Sequence, residues 1–350
     1  MNILSAIDRI DRLRENPNID DIRWFLVDAT TDDLTVMYRE ADRIRKELVG
    51  DKVHLRAILE ISNHCRRECL YCGINCKTDG VERYRIPPEE IVVISKDIYN
   101  KGYRTLVIQS GEDMFYTAEI LADVIRGIKK NAPDMAITLS VGERDEAAYR
   151  MWFEAGADRY LLKHETSDRD LYHKLNPGMS FDDRIKCLNT LHAIGFQIGS
   201  GIMIGLPGQT RESIAGDILL FKTLQTDMIG AGPYIPVPGQ PTEWSEHDRE
   251  DITYRVLALN RIVNGDVHLP ATTALSTLAE DQARLLALQR GANIVMPNET
   301  PAQYRKLYTI YPNKKRTEAS AATSFLDNLE KLLATIGRPI SFERADHVKR

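Results

Sequence analysis

Short apolar runs recur along this chain, and several begin just after a glycine that closes a helical stretch. These junctions are Lys101-Gly102-Tyr103, Ala155-Gly156-Ala157, Ile194-Gly195-Phe196 and Arg290-Gly291-Ala292. Glycine enters the left-handed region without a Cβ penalty, so it can end a helix and release the chain into a strand. Strand-like runs cover His54 to Ile61, Thr105 to Gln109, Ala136 to Ser140, Arg159 to His164, Gln197 to Ile204, Met228 to Gly232, His268 to Thr272 and Asn293 to Met296. Stretches long enough for helices separate most of them. Eight such units predict an α/β fold, a (β/α)8 TIM barrel over residues 51–350 with a C-terminal helical segment. An open doubly wound sheet, or a six-unit partial barrel with an appendage, is the rival. Chemistry in a barrel belongs at the C-terminal strand ends. The polar segments Gln109-Ser110-Gly111-Glu112, His164-Glu165-Thr166 and Thr272-Thr273 fall there.

Residues 1–50 read as an N-terminal helical extension packed on the barrel, with Thr30-Thr31-Asp32-Asp33 capping a helix over Leu34 to Leu48. The formal charge of −5, with both signs interspersed, gives no nucleic-acid arm. Neither a signal peptide nor a run of about 18 apolar residues is legible, which predicts a cytoplasmic protein with no membrane contact.

Of five cysteines, four lie between Cys65 and Cys76, an odd framework for disulfides and a better one for metal. In Cys65-Arg66-Arg67-Glu68-Cys69-Leu70-Tyr71-Cys72, three soft thiolates on one short loop can hold a cuboidal iron–sulfur cluster. Three ligands for four irons would leave one iron open to a small molecule. A structural zinc site, completed by Cys76 or His64, is the alternative, and would make the chain a zinc-stapled scaffold. Cys187, in the apolar stretch Ile185 to Leu191, reads as core.

This loop resembles the signature of radical S-adenosylmethionine (SAM) enzymes. The resemblance implies one 4Fe–4S cluster on Cys65, Cys69 and Cys72, and reductive cleavage of SAM to a 5′-deoxyadenosyl radical. It also implies a low-potential electron donor and places Tyr71 near the adenine.

Several further segments fit that expectation. Ser110 and Glu112 stand where the superfamily contacts the methionine amino group; alone, Ser110-Gly111-Glu112-Asp113 is a tight turn. Alternation puts Lys163 and Glu165 on one strand face and His164 on the other, either as a salt-bridged lining or as a binding pair. Arg184 opens a predicted helix and would reach back to a ligand carboxylate. Gly205-Leu206-Pro207-Gly208-Gln209-Thr210 reads as strand, turn and helix, and lacks the lysine of a phosphate-binding loop. In the superfamily such a stretch shapes the adenosine site. Thr272-Thr273, Met296-Pro297-Asn298 and Tyr304-Arg305 follow late strands.

Together with His54-Leu55-Arg56-Ala57-Ile58, Ala157 to Leu162 and Ala292 to Asn298, these segments resemble the FeFe-hydrogenase maturase family HydE over nearly the whole chain. The methylornithine synthases are a sister family sharing the barrel and the loop. The resemblance implies SAM held by the cluster, Glu112, Glu165 and Arg184. It implies a largely internal cavity whose substrate meets Arg56, Lys163, Thr272, Thr273 and Tyr304. That substrate would be an organometallic iron–cysteine–carbonyl–cyanide complex delivered by another hydrogenase maturase. Two departures stand out. Pro312 to Leu326 lacks the cysteines of an accessory cluster, and Lys163 occupies a position where relatives place arginine, losing the two-pronged geometry. The second leaves open a paralogue, or a methylornithine-synthase-like mutase, acting on another small amino-acid-derived substrate.

Overall fold

The computed structural model describes residues 5–312 and 322–347. Its strands are β1 (Val53–Leu55), β2 (Ala57–Ser62), β3 (Thr105–Ser110), β4 (Ala136–Ser140), β5 (Arg159–Leu161), β6 (Gln197–Ile204), β7 (Met228–Pro233), β8 (Ile294–Val295) and β9 (Ile340–Ser341). The helices are α1 (Ala6–Glu15), α2 (Ile19–Val27), α3 (Thr31–Val49), α4 (Pro88–Asn100), α5 (Ala118–Asn131), α6 (Glu146–Glu154), α7 (Arg169–Leu175), α8 (Phe181–Ile194), α9 (Arg211–Thr223), α10 (Glu246–Asn264), α11 (Thr273–Gln289), α12 (Ala302–Arg305) and α13 (Ala322–Ala334).

This is an α/β fold: a central parallel sheet flanked by helices. β2 to β7 pair in sequence order, all parallel. Leu59, Ile108, Ile137, Leu139 and Ile198 are fully buried, as expected where helices cover a parallel sheet. Gly102, Gly156, Gly195 and Gly291 all adopt positive φ, between 102° and 116°, so the glycines at the junctions do turn the chain from helix to strand.

The run expected as one strand from His54 divides at Arg56. Its first part, β1, pairs with β8 and β9, and its second part, β2, pairs with β3. The strand expected at His268 to Thr272 does not form. Only the isolated parallel bridges Met228–His268 and Pro270–Ile294 occur there. Pro270 has no N–H to give a ladder, and Thr272 turns away to cap α11. The expectation of eight regular strands is corrected accordingly.

The first helices dock on α9 and α10. Thr30 caps α3 in a reciprocal box with Asp33, a device that contributes about 1 kcal/mol. Among the described residues no helix is long and apolar enough to cross a membrane. The chain's end was not anticipated as structure. After β9, Thr105 Oγ1 donates to the Arg344 carbonyl at 2.9 Å, and Arg159 Nη2 reaches Asp346 at 2.6 Å. His347 lies 2.7 Å from Asp227 and 3.1 Å from Asp266. This tail therefore crosses the N-terminal ends of β3, β5 and β7, opposite the strand ends that carry the polar segments.

Candidate active site

The cysteine loop leaves β2 and is tied down along its length. Arg66 N–H donates to the Glu112 carbonyl, Leu70 N–H to Leu175, Gly73 N–H to Ile310 and Cys76 N–H to Arg67. Gly73 and Gly111 allow this closeness. A Cβ on Gly73 would stand 2.4 Å from the Thr309 oxygen, and one on Gly111 2.2 Å from the His64 oxygen. Arg83, which sequence reasoning passed over, donates to the carbonyls of Asn63, Ile74 and Asn75. Asn75 in turn donates to the Cys69 and Cys72 carbonyls.

Cys65, Cys69 and Cys72 are partly covered, while Cys76 is exposed. Burial pushes the Cys69 thiol up to about 11 and the Cys72 thiol up to about 12, and raises Cys65 as well. Such thiols become thiolates when a bound cation supplies the missing charge. The N–H groups of Arg67 and Glu112 point at Cys65 Sγ, at 3.4 and 3.3 Å. A soft, three-thiolate donor set with N–H support fits an iron–sulfur cluster. Among the described residues no three His, Cys, Asp or Glu side chains converge as a single metal ion requires. The accessory-cluster stretch falls largely on residues 313–321, outside those described.

Above this loop lies a network of ions. Glu112, at the end of β3, meets Arg66 Nε at 2.6 Å and Arg67 Nε at 2.8 Å, and accepts the Glu143 N–H at 2.9 Å. Burial pushes its carboxyl up, but the Glu143 N–H and the two guanidiniums outweigh burial and hold it below its ordinary value. Glu143, after β4, takes Arg67 Nη2 at 2.8 Å and Arg184 Nε at 2.6 Å. Arg184 Nη1 donates to the Lys163 carbonyl at 2.6 Å. Glu112 and Arg184 are thus engaged with protein partners that lock the cysteine loop to β3, β4 and α8. Glu143 had no motif to mark it. Ser110 Oγ donates to the neighbouring Gly111 carbonyl. Tyr71 donates to Asn176 Oδ1 at 2.6 Å and packs with Leu171, Leu175, Leu206 and Tyr234.

Lys163 Nζ lies 2.9 Å from Glu165 Oε2, so the two do share a face. That face has room because β6 and β7 carry inward glycines. A Cβ on Gly201 would touch Lys163 Cε at 2.7 Å, and one on Gly232 would meet Thr272 Oγ1 at 2.6 Å. Up one face of β7, Arg56 meets Met228, Lys163 lies over the Gly201–Gly230 pair, and Thr272 stands over Gly232. This column brings together three of the five residues expected to face substrate. The cavity beside its base is only about 40 Å³ and is lined by Arg56, Thr138, Met228 and His268 among apolar groups. Burial pushes Arg56 down from its ordinary range. Thr272 is occupied as the cap of α11, and Thr273 is that helix's first residue. Tyr304 stands apart: it stacks on Tyr84 at 5.1 Å and its hydroxyl donates to Glu90 at 3.0 Å. Gln209 shapes the turn after β6 by accepting the Gly205 and Leu206 N–H groups and donating to the Met203 carbonyl.

Known proteins share sequence and fold with this chain. Residues 59–221 match the family model of the radical SAM superfamily. The chain is 45% identical over 278 residues to the [FeFe] hydrogenase maturase subunit HydE of Thermotoga maritima, covering 79% of each. It is 29% identical over 278 residues to a 3-methylornithine synthase of Methanosarcina acetivorans, covering 79% of this chain and 78% of that protein. In fold it is similar to methylornithine synthase (PylB), at TM-score 0.81 and 23% identity over 95% of this chain and 97% of that one. It is also similar to the hydrogenase maturase HydG, at TM-score 0.80 and 18% identity over 96% and 76%. With its cysteine loop at the strand ends of a parallel α/β sheet, the chain belongs to the radical SAM superfamily and is a SAM-cleaving enzyme related to these maturases and synthases.

Proposed function

We propose that this enzyme acts in maturation of the FeFe-hydrogenase di-iron subcluster, on an iron–cysteine–carbonyl–cyanide precursor. The observation that carries this reading is the 45% identity to the Thermotoga maritima maturase, against 29% to the methylornithine synthase over an equal span. We further take the strands, with their linking bridges, as a closed barrel with the site at its upper mouth.

In this reading Cys65, Cys69 and Cys72 hold one 4Fe–4S cluster, which when bound supplies the electron for reductive cleavage of SAM. Glu165, with Tyr71 and Ser110, faces the cofactor. Glu112 and Arg184 serve it through the ions they hold in place: Arg66, Arg67 and Glu143 fix the loop against the strand ends, so no reorganisation is needed when the cofactor binds. Arg56, Lys163 and Thr272 offer one polar side of a column to an anionic substrate, Thr273 follows at the start of α11, and Tyr304 borders it from outside. An amide at Glu165 keeps the shape and removes the charge. Glu165→Gln should therefore retain iron while the dissociation constant for SAM rises about tenfold, the loss of one charged hydrogen bond. Titration of anaerobically reconstituted enzyme measures this. Affinity equal to wild type removes Glu165 from the cofactor site. The maturase reading itself is tested by adding the enzyme to apo-hydrogenase with the companion maturases, and hydrogenase that stays inactive overturns it.

A further inference from the structure

Glu165 holds a backbone conformation that residues with a Cβ rarely adopt. Its φ is 65°, and across it the Thr166 N–H donates to the His164 carbonyl at 2.8 Å. These three residues form a γ-turn of the rare, strained hand. Strain of this kind persists where the surroundings over-determine it.

The surroundings are a buried polar set that the proposed function leaves unused. His164, Ser200 and Asp217 are each 0% exposed. His164 Nδ1 lies 2.9 Å from Ser200 Oγ, and Nε2 lies 3.2 Å from Asp217 Oδ1. That same carboxylate oxygen accepts the Ser167 N–H at 2.5 Å. Asp217, on α9, therefore grips the first residue of the turn through its imidazole and the chain just after the turn directly. Ser200, on β6, accepts the His164 N–H at 3.2 Å and donates to the Leu162 carbonyl at 3.0 Å, steadying the strand that leads in. A serine, histidine and aspartate in line resemble a nucleophile set, but full burial keeps substrate from all three. Asp217 Oδ2 makes no hydrogen bond, so burying the carboxylate is costly, and the contacts that offset the cost are those of Oδ1 to His164 and Ser167.

We propose that Asp217, acting through His164 and the Ser167 N–H, is a positioning residue that fixes the Glu165 turn and so aims the Lys163–Glu165 pair at the strand ends. The inference rests on the reading of Glu165 as a SAM contact. Asp217→Asn keeps size and one acceptor but removes the charge. In the reconstituted enzyme the dissociation constant for SAM is expected to rise about tenfold, and amide deuterium exchange over residues 162–168 to accelerate. Should Asp217→Asn fail to fold, His164→Gln releases the same turn from its other side and predicts the same two changes. Ile128→Ala, a core truncation in α5 remote from the turn, should alter neither. Wild-type affinity and exchange in the Asp217 variant overturn the proposal. So does weaker binding with unaltered exchange, or equal weakening in Ile128→Ala. If Glu165→Gln leaves SAM affinity intact, the reading of Glu165 fails, while the exchange result still decides whether Asp217 holds the turn.

Discussion

Glu143→Ala tests whether the ions around the cysteine loop hold the site together. The Glu143 side chain is 12% exposed and joins Arg184, 10% exposed, to Arg67, 22% exposed. Removing the carboxylate strands the Arg184 guanidinium in a covered position, with the Lys163 carbonyl as its remaining described hydrogen-bond partner. Breaking a buried pair from one side costs about 3–5 kcal/mol. The Arg67 arm is partly solvated and adds under about 1 kcal/mol. Some water reaches the pair, so a loss of about 3 kcal/mol is expected. Unfolding entropy of about 2.1 cal/mol/K per residue gives a chain of 350 residues about 0.7 kcal/mol/K, so the thermal midpoint should fall by about 4 °C. Anaerobic scanning calorimetry of holoenzyme at one scan rate measures it. Glu143→Ala with Arg184→Met should recover much of the loss, because no charge is then left buried alone. A midpoint within about 1 °C of wild type for the single variant, or a double variant as unstable as the two losses added, would refute the reasoning.

Other outcomes follow from the same geometry. Alanine at Cys65, Cys69 or Cys72 should abolish assembly of a complete cluster, whereas Cys76→Ala, at an exposed position, should retain it. Iron counts and paramagnetic resonance of reduced protein decide this. His347 sits between Asp227 and Asp266, and the two carboxylates, Asp227 foremost, hold its pKa above the usual value. The stability it contributes should be full below the unfolded histidine value of about 6.5 and disappear as pH rises through the higher folded value. A difference of about 1.5 kcal/mol between wild type and His347→Gln at pH 5.5 should accordingly shrink by pH 9, and a pH-independent difference would exclude the ionic latch. Lys163→Met should spare SAM cleavage without substrate and reduce substrate turnover by about 30-fold or more, the effect of about 2 kcal/mol or more from a lost charged contact. Equal turnover in wild type, Met and Arg variants would make Lys163 mere lining.

The parts of this molecule legible in the sequence are those governed by short periods and local backbone demands. Glycines at 102, 156, 195 and 291 marked the helix-to-strand junctions because positive φ is a one-residue requirement. The cysteine loop was legible because its three spaced cysteines lie within eight residues, and Thr30 because a cap acts over three. Partners set by tertiary approach left no such trace. Glu143 and Asp217 are ordinary loop and helix acids until α8 and the turn after β5 arrive beside them. The tail at Arg344 to His347 carries no period at all, yet it spans the starts of β3, β5 and β7 through single polar contacts.

The proposed substrate side of the site lies between these cases. Its polar residues were identified by resemblance, while the space they face is made by residues with no chemistry: Gly199 and Gly201 on β6, Gly230 and Gly232 on β7. Glycines two apart on paired strands empty one face without breaking the ladder, because alternation points the missing side chains the same way. A Cβ at Gly201 would lie 2.2 Å from the Gly230 carbonyl as well as against Lys163. Even alanine there must displace backbone or drive the lysine off its position beside Glu165. The length and charge of Lys163 thus depend for their placement on an absence in the next strand, and a search for functional residues by chemical type alone passes over that absence.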